Sequence, residues 1–155
     1  MKTLILYATK YGAAAEIARR IADKLGDADT HDLKNPVPDI AEYDCIIIGS
    51  SIYAGAFRKE VKGFFAQNER ELLQKKLGVF ASGMSKGDGD KVFAENIPDK
   101  IKQTVKATAL LGGIFDPTKA NFMERFIMKI VTKQSGHVER IDDNKIENFV
   151  KEMQG

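Results

Sequence analysis

Thr3-Leu4-Ile5-Leu6-Tyr7-Ala8-Thr9-Lys10-Tyr11-Gly12-Ala13-Ala14-Ala15-Glu16-Ile17-Ala18 decides the architecture, because two periodicities meet within it. Thr3 to Ala8 is a short apolar run rich in strand formers and too short for a helix. Thr9 to Gly12 breaks it. From Ala14 onward the apolar residues Ala14, Ile17, Ala18, Ile21, Ala22 and Leu25 recur at helical spacing, and Glu16, Arg19, Arg20, Asp23 and Lys24 take the opposite face. Gly26 follows as a C-terminal cap. Strand, tight turn and helix form the first half of a βαβ unit.

The same alternation continues outward. Thr30 to Leu33 is expected as a short edge strand, and Pro36 and Pro38 exclude a regular central strand just after it. Asp44 to Gly49 is continuously apolar from Cys45 to Ile48, as a strand covered on both faces requires. A loop is expected at Ser50 to Ala56, a helix at Lys59 to Leu73, a strand at Leu77 to Ala81 and a Gly-rich loop at Ser82 to Asp90. A helix near Val92 to Val105, interrupted at Pro98, then precedes a fifth strand at Ala107 to Gly113. Helical patterns at Asn121 to Lys133 and Asn144 to Met153 close the chain. The β-α-β-α order predicts an α/β fold with a parallel sheet and helices on both faces. No repeat, low-complexity tract or long linker divides the chain, so residues 1–155 are expected to form a single domain.

Composition narrows the function. Of 155 residues, 43% are hydrophobic and 30% charged, which suits a soluble core-forming domain. Twenty-four basic against 22 acidic residues give a net charge of +2, spread along the chain, so no nucleic-acid partner is expected. The single cysteine, Cys45, cannot form an internal disulfide, lies in an apolar run and is expected to be a buried thiol in a reducing compartment. His31 and His137 have no companion ligands at metal spacing, so no metal site is expected. The opening residues carry no basic n-region, long apolar segment or small-residue cleavage site, and are expected not to be a signal peptide. No apolar stretch approaches the ~20 residues that span a bilayer. A cytoplasmic location follows as the expectation.

Open parallel sheets bind ligands beyond the carboxyl ends of their strands, at the point where the strand order switches. Three loops qualify: Thr9 to Ala14, Ser50 to Ala56, and Ser82 to Asp90. In the first, amides at a helix N-terminus, the Thr9 hydroxyl, the Lys10 charge and the freedom of Gly12 suit a phosphate, although an ordinary strand-to-helix turn has the same outline. The pattern is neither G-x-x-x-x-G-K-[ST] nor G-x-G-x-x-G, which excludes a P-loop and a dinucleotide fingerprint. No carboxylate ends the first strand, which excludes a phosphoryl-accepting signalling domain. In the second loop, Ser50, Ser51, Ile52, Tyr53, Ala54 and Gly55 join small residues to an aromatic on which a planar ring can stack; surface packing of Tyr53 is the alternative. No His, Cys or carboxylate pair converges on these loops, so no catalytic acid or base is named.

At these loops the chain resembles the flavodoxin family. Lys2 to Thr9 with Gly12 resembles its first strand and phosphate loop. More narrowly, Met1 to Leu6, Glu16-Ile17-Ala18, Gly49-x-Ser51-Ile52 with Gly55, and Glu124-Arg125-Phe126-Ile127-Met128-Lys129-Ile130 with Ser135-Gly136 resemble the flavodoxin-like menaquinone-dependent protoporphyrinogen oxidases. The resemblance implies a flavodoxin-like, doubly wound five-stranded parallel sheet of order 2-1-3-4-5. It implies non-covalent FMN, with Thr9, Lys10, Tyr11, Gly12, Ala13 and Ala14 around the phosphate. Ser50, Ser51, Ile52, Tyr53, Ala54 and Gly55 would border the ring on one side and Ser82, Gly83, Met84 and Ser85 on the other. Ala14 departs from the threonine usual there, and Ser82 to Asp90 lacks the usual stacking aromatic.

In the Asn121 to Lys133 segment, Phe122, Met123, Phe126, Ile127, Ile130 and Val131 share one helical face edged by Lys119, Arg125, Lys129 and Lys133. That face either covers the sheet or docks a membrane surface, a quinone or a redox partner protein. The slight basicity of the chain suits anionic lipid at the inner face of the membrane. Three functions stay open at this point: an FMN oxidoreductase acting on protoporphyrinogen with a quinone acceptor, a flavodoxin-type carrier with no substrate of its own, and a flavin-free binding module.

Overall fold

The computed structural model describes residues 2–83, 89–115, 138–139 and 141–155. Its centre is a parallel sheet of β1 (Thr3–Ala8), β2 (Ala28–Asp32), β3 (Cys45–Tyr53), β5 (Lys76–Ser82) and β6 (Val105–Leu110), in the order β2-β1-β3-β5-β6. A two-residue strand, β4 (Ala56–Phe57), folds back antiparallel on β3. With β4 set aside, the five parallel strands have the expected order 2-1-3-4-5. A separate antiparallel pair joins β7 (Ile114–Phe115) to β8 (Val138–Glu139).

The apolar strands sort their side chains by parity, which is why both faces need cover. Leu4, Leu6, Ile46, Ile48, Leu77 and Val79 enter one core with Val61, Phe64 and Phe65 of α2 (Lys59–Leu72), Phe93 of α3 (Gly89–Asn96) and Ile101 of α4 (Asp99–Lys102). Ile5, Cys45, Ile47 and Phe80 face the other way, onto Ala14, Ile17, Ala18 and Ile21 of α1 (Ala13–Leu25) and Ile146, Phe149, Val150 and Met153 of the last helix, α5 (Asp143–Gln154). Gly49 is where one ring comes closest to the sheet: a methyl on it would stand 1.9 Å from Cζ of Phe80. Cys45 is buried and free, and burial pushes its thiol above the ordinary range.

Several boundaries differ from the expectations. The edge strand begins at Ala28, two residues before Thr30. β3 does not end at Gly49 but runs to Tyr53 and doubles back, so most of the expected Ser50 to Ala56 loop is a hairpin. Pro98 does more than interrupt a Val92 to Val105 helix: it separates α3 from α4, and the fifth parallel strand spans Val105–Leu110 rather than Ala107 to Gly113. The Asn121 to Lys133 helix lies outside the described residues. Among the described residues no helix is long and apolar enough to cross a membrane.

Candidate functional site

Parallel register sets three chain segments side by side. Ala8 pairs with Ser50 across β1 and β3, and Ser51 with Ser82 across β3 and β5. The turn after β1, the end of β3 and the end of β5 therefore share one edge of the sheet, and the strand order switches between β1 and β3.

The first segment is a turn into α1. Gly12 caps the helix at φ 94°, a left-handed conformation that favours glycine, and among the described residues no heavy atom lies within 4 Å of where a Cβ would stand. Gly12 N–H donates to Thr9 Oγ1 at 2.9 Å, which leaves the Thr9 hydroxyl proton to point elsewhere. The first intrahelical bond is Glu16 N–H to Gly12 C=O. The amides of Ala13, Ala14 and Ala15 consequently have no protein partner among the described residues, as the first turn of a helix dictates. Ala13 and Ala14 are buried, and Ala14 belongs to the core that α1 shares with the sheet. The Tyr11 hydroxyl is buried and unpartnered among the described residues.

A carboxylate in that first turn would oppose an anion, but Glu16 is neutralised. Arg19 binds it through two nitrogens and Arg20 through Nε at 3.1 Å. The Arg19 hydrogen bonds, followed by those of Arg20, hold its carboxyl down at about 2 against the opposing effect of burial. Arg20 also reaches Asp143 at 3.2 Å, tying α1 to α5.

The second segment is the hairpin. Tyr53 pairs with Ala56, and the two residues between them both have positive φ, Ala54 at 52° and Gly55 at 79°. This is the pattern of a type I′ two-residue turn, and for Ala54 it costs about 1–2 kcal/mol. Tyr53 is 59% exposed. The Lys10 ammonium lies 5.0 Å from the centre of its ring and 5.4 Å from that of Tyr11, so one cation bridges the turn and the hairpin. Ser50 is fully buried; its hydroxyl accepts from Arg58 N–H and donates to Ser51 C=O. Ser51 Oγ accepts from Lys10 N–H at 3.1 Å and meets Ser82 Oγ at 3.5 Å.

The third segment starts at Ser82, which is 2% exposed, and Gly83, whose N–H donates to Gly112 C=O. A Cβ on Gly83 would run into the Ile52 side chain. Met84 and Ser85 lie outside the described residues. Phe93, the nearest aromatic downstream, is buried edge-on against Phe57 and belongs to the core.

The structure therefore gathers Thr9, Lys10, Tyr11, Gly12, Ser51, Tyr53 and Ser82 along one edge, with Ser50 as an internal brace. Sequence reasoning missed Asn96. Its Oδ1 accepts from Phe57 N–H at 2.9 Å, while Nδ2 donates to Gly55 C=O and Val92 C=O at 2.7 Å each. The only signal was an asparagine two residues before Pro98, which marks a helix end and nothing more.

A family model described as Flavodoxin domain matches residues 4–142. The protoporphyrinogen IX dehydrogenase (quinone) of Escherichia coli strain K12 is 23% identical over an alignment of 173 positions that covers 99% of this chain and 94% of that protein. Oxidised flavodoxin 1 from Bacillus cereus superimposes with a TM-score of 0.63 at 18% identity, over 99% of this chain and 95% of that one. A flavoprotein crystallised with FMN from Lactobacillus acidophilus gives 0.57 at 18% identity, over 70% and 92%. At these identities the two structures speak for the fold.

Proposed function

The chain belongs to the flavodoxin family, and on that premise we propose that it binds FMN along the carboxyl edge of β1, β3 and β5 and transfers electrons through it. The observation that carries this reading is the row of amides at Ala13, Ala14 and Ala15 that have no protein partner among the described residues, next to Gly12. A phosphate dianion is what three convergent N–H groups at a helix start accommodate. The Thr9 hydroxyl supplies a fourth donor, and the amides offset the hydroxyl lost by having Ala14 at the turn's end. Lys10 adds positive charge on the same side. Tyr53, exposed at the hairpin, offers a face for a planar ring. Bound FMN supplies one- and two-electron transfer; the protein supplies binding, orientation and the electrostatics that tune it.

Within that reading we infer oxidation of protoporphyrinogen with a quinone as acceptor. The support is the likeness to the Escherichia coli dehydrogenase along nearly the whole of both chains. The competing reading is a carrier that only passes electrons between proteins, favoured by the small fold shared with the Bacillus cereus flavodoxin. Purified protein should be yellow with an oxidised-flavin spectrum, and a colourless product indifferent to added FMN overturns both readings. Flavin-loaded protein that consumes protoporphyrinogen faster than air does, only with quinone present, selects the dehydrogenase; no acceleration selects the carrier.

A further inference from the structure

Building on the FMN reading, we propose that Asn96 is a positioning residue: by gripping the Tyr53–Ala56 turn it fixes which backbone groups of Ala54 and Gly55 face the flavin ring, and so sets the flavin's reduction potentials.

The turn does not hold itself. Its ladder has two residue pairs, Ile52 with Phe57 and Tyr53 with Ala56, and a hairpin that short is marginal in water. Ala54 sits at φ 52°, where an alanine does not rest unless its surroundings impose it. Asn96 is what imposes it. One carboxamide accepts from the N–H just after the turn, at Phe57, and donates to the carbonyl inside it, at Gly55. Its remaining bond, to Val92 C=O one helical turn back, locks the carboxamide plane to α3. The edge-on contact of Phe57 with Phe93, 6.2 Å between ring centres, fixes the same helix to the same hairpin. The turn is also tied to the phosphate segment, since Lys10 stands over Tyr53 at its base.

The consequence for a bound flavin is chemical. Reduction with protonation turns a ring nitrogen from a hydrogen-bond acceptor into a donor. A carbonyl beside it favours the reduced ring, and an amide favours the oxidised one. A grip on the Gly55 carbonyl therefore selects between the two, while the phosphate contacts, made elsewhere, are indifferent to oxidation state.

The test compares wild-type protein with Asn96→Ala and Asn96→Leu, neither of which adds a charge, all loaded with FMN. Both variants should change the ratio of oxidised to reduced FMN affinity about tenfold, a shift of about 59 mV in a one-electron potential, while affinity for oxidised FMN changes less. Phe149→Leu serves as the comparison: it cuts the contact with Phe80 in the core on the other face of the sheet and should lower thermal stability with the potentials unmoved. Potentials identical to wild type in the Asn96 variants, or moved equally by Phe149→Leu, overturn the proposal. If the variants do not fold, the wild-type protein still decides. The Asn96 side-chain NH2 signals in 15N NMR should move between oxidised and reduced FMN-bound protein, and signals that stay in place contradict it. Failure of the wild type to bind FMN would show separately, as loss of the functional reading itself.

Discussion

Ser51 Oγ accepts a hydrogen bond from the Lys10 main-chain N–H at 3.1 Å, joining the end of β3 to the turn after β1. The two residues are 41 positions apart in sequence and meet where the sheet changes direction. Ser51 also touches Ser82, so a single hydroxyl lies at the meeting point of all three segments. Ser51→Ala removes the hydroxyl to which the Lys10 amide donates and loosens the turn. The expected cost is about 0.5–1.5 kcal/mol, seen as a roughly three- to tenfold weaker FMN affinity in a fluorescence titration. Unchanged affinity with unchanged thermal stability would remove Ser51 from the account.

Gly12 separates charge from backbone strain. Gly12→Asp puts a carboxylate into open space at the helix start, where a dianion is to sit, and Gly12→Ala adds only the strain of an alanine at φ 94°. Gly12→Asp should weaken FMN binding by at least about 100-fold, the loss of more than one charge-assisted contact. Gly12→Ala should mainly lower the melting temperature, by an amount matching about 1–2 kcal/mol. Equal FMN affinity in the aspartate variant and the wild type contradicts the placement of the phosphate.

Glu16 makes the fold acid-sensitive in a defined window. Its carboxyl lies at about 2 in the folded chain, below the ordinary value of 4.5, so the folded state favours the ionised form. The contribution is complete above 4.5 and is lost as pH falls toward 2. Glu16→Gln should lower stability near neutrality by about 0.5–1 kcal/mol, as for a partly exposed ion-pair network. It should also flatten the fall of the urea midpoint between pH 4.5 and 2, and a variant whose profile stays parallel to wild type contradicts the Arg19–Glu16–Arg20 assignment.

The core under the site is tight at Gly49. Gly49→Ala places a methyl 1.9 Å from Cζ of Phe80, a fully buried ring that also packs edge-on to Phe149 at 6.4 Å. The expected loss is about 1–3 kcal/mol, read as a lower denaturation midpoint. The double variant with Phe80→Leu should recover part of it, and no loss in the single variant would mean that the ring does not lie on the glycine.

Much of this was legible in the residues, for identifiable reasons. The change from β-branched and Leu-rich runs to helical spacing at Ala14 marks the strand–turn–helix unit, and uninterrupted Cys45–Ile48 marks a strand covered on both faces. Gly12 before an alanine run marks the helix start. The hairpin was not legible, because Tyr53-Ala54-Gly55-Ala56 lacks the Asn-Gly or Asp-Gly that signals a type I′ turn. Tertiary contacts impose it: Asn96, 41 residues from Gly55, supplies what the local sequence does not. Ser50 could be located but not assigned, since burial turned its hydroxyl toward Arg58 N–H rather than outward. The assignment of Phe93 to the core likewise depends on Phe57, which no local pattern pairs with it.

The most direct test of the central claim compares FMN with riboflavin, which carries the same ring and no phosphate. Amides at Ala13, Ala14 and Ala15 with no partner among the described residues require the phosphate to carry most of the affinity, so FMN should quench one-to-one on titration and bind at least about 100-fold more tightly than riboflavin. Equal affinity for the two flavins, or binding of neither, would contradict it.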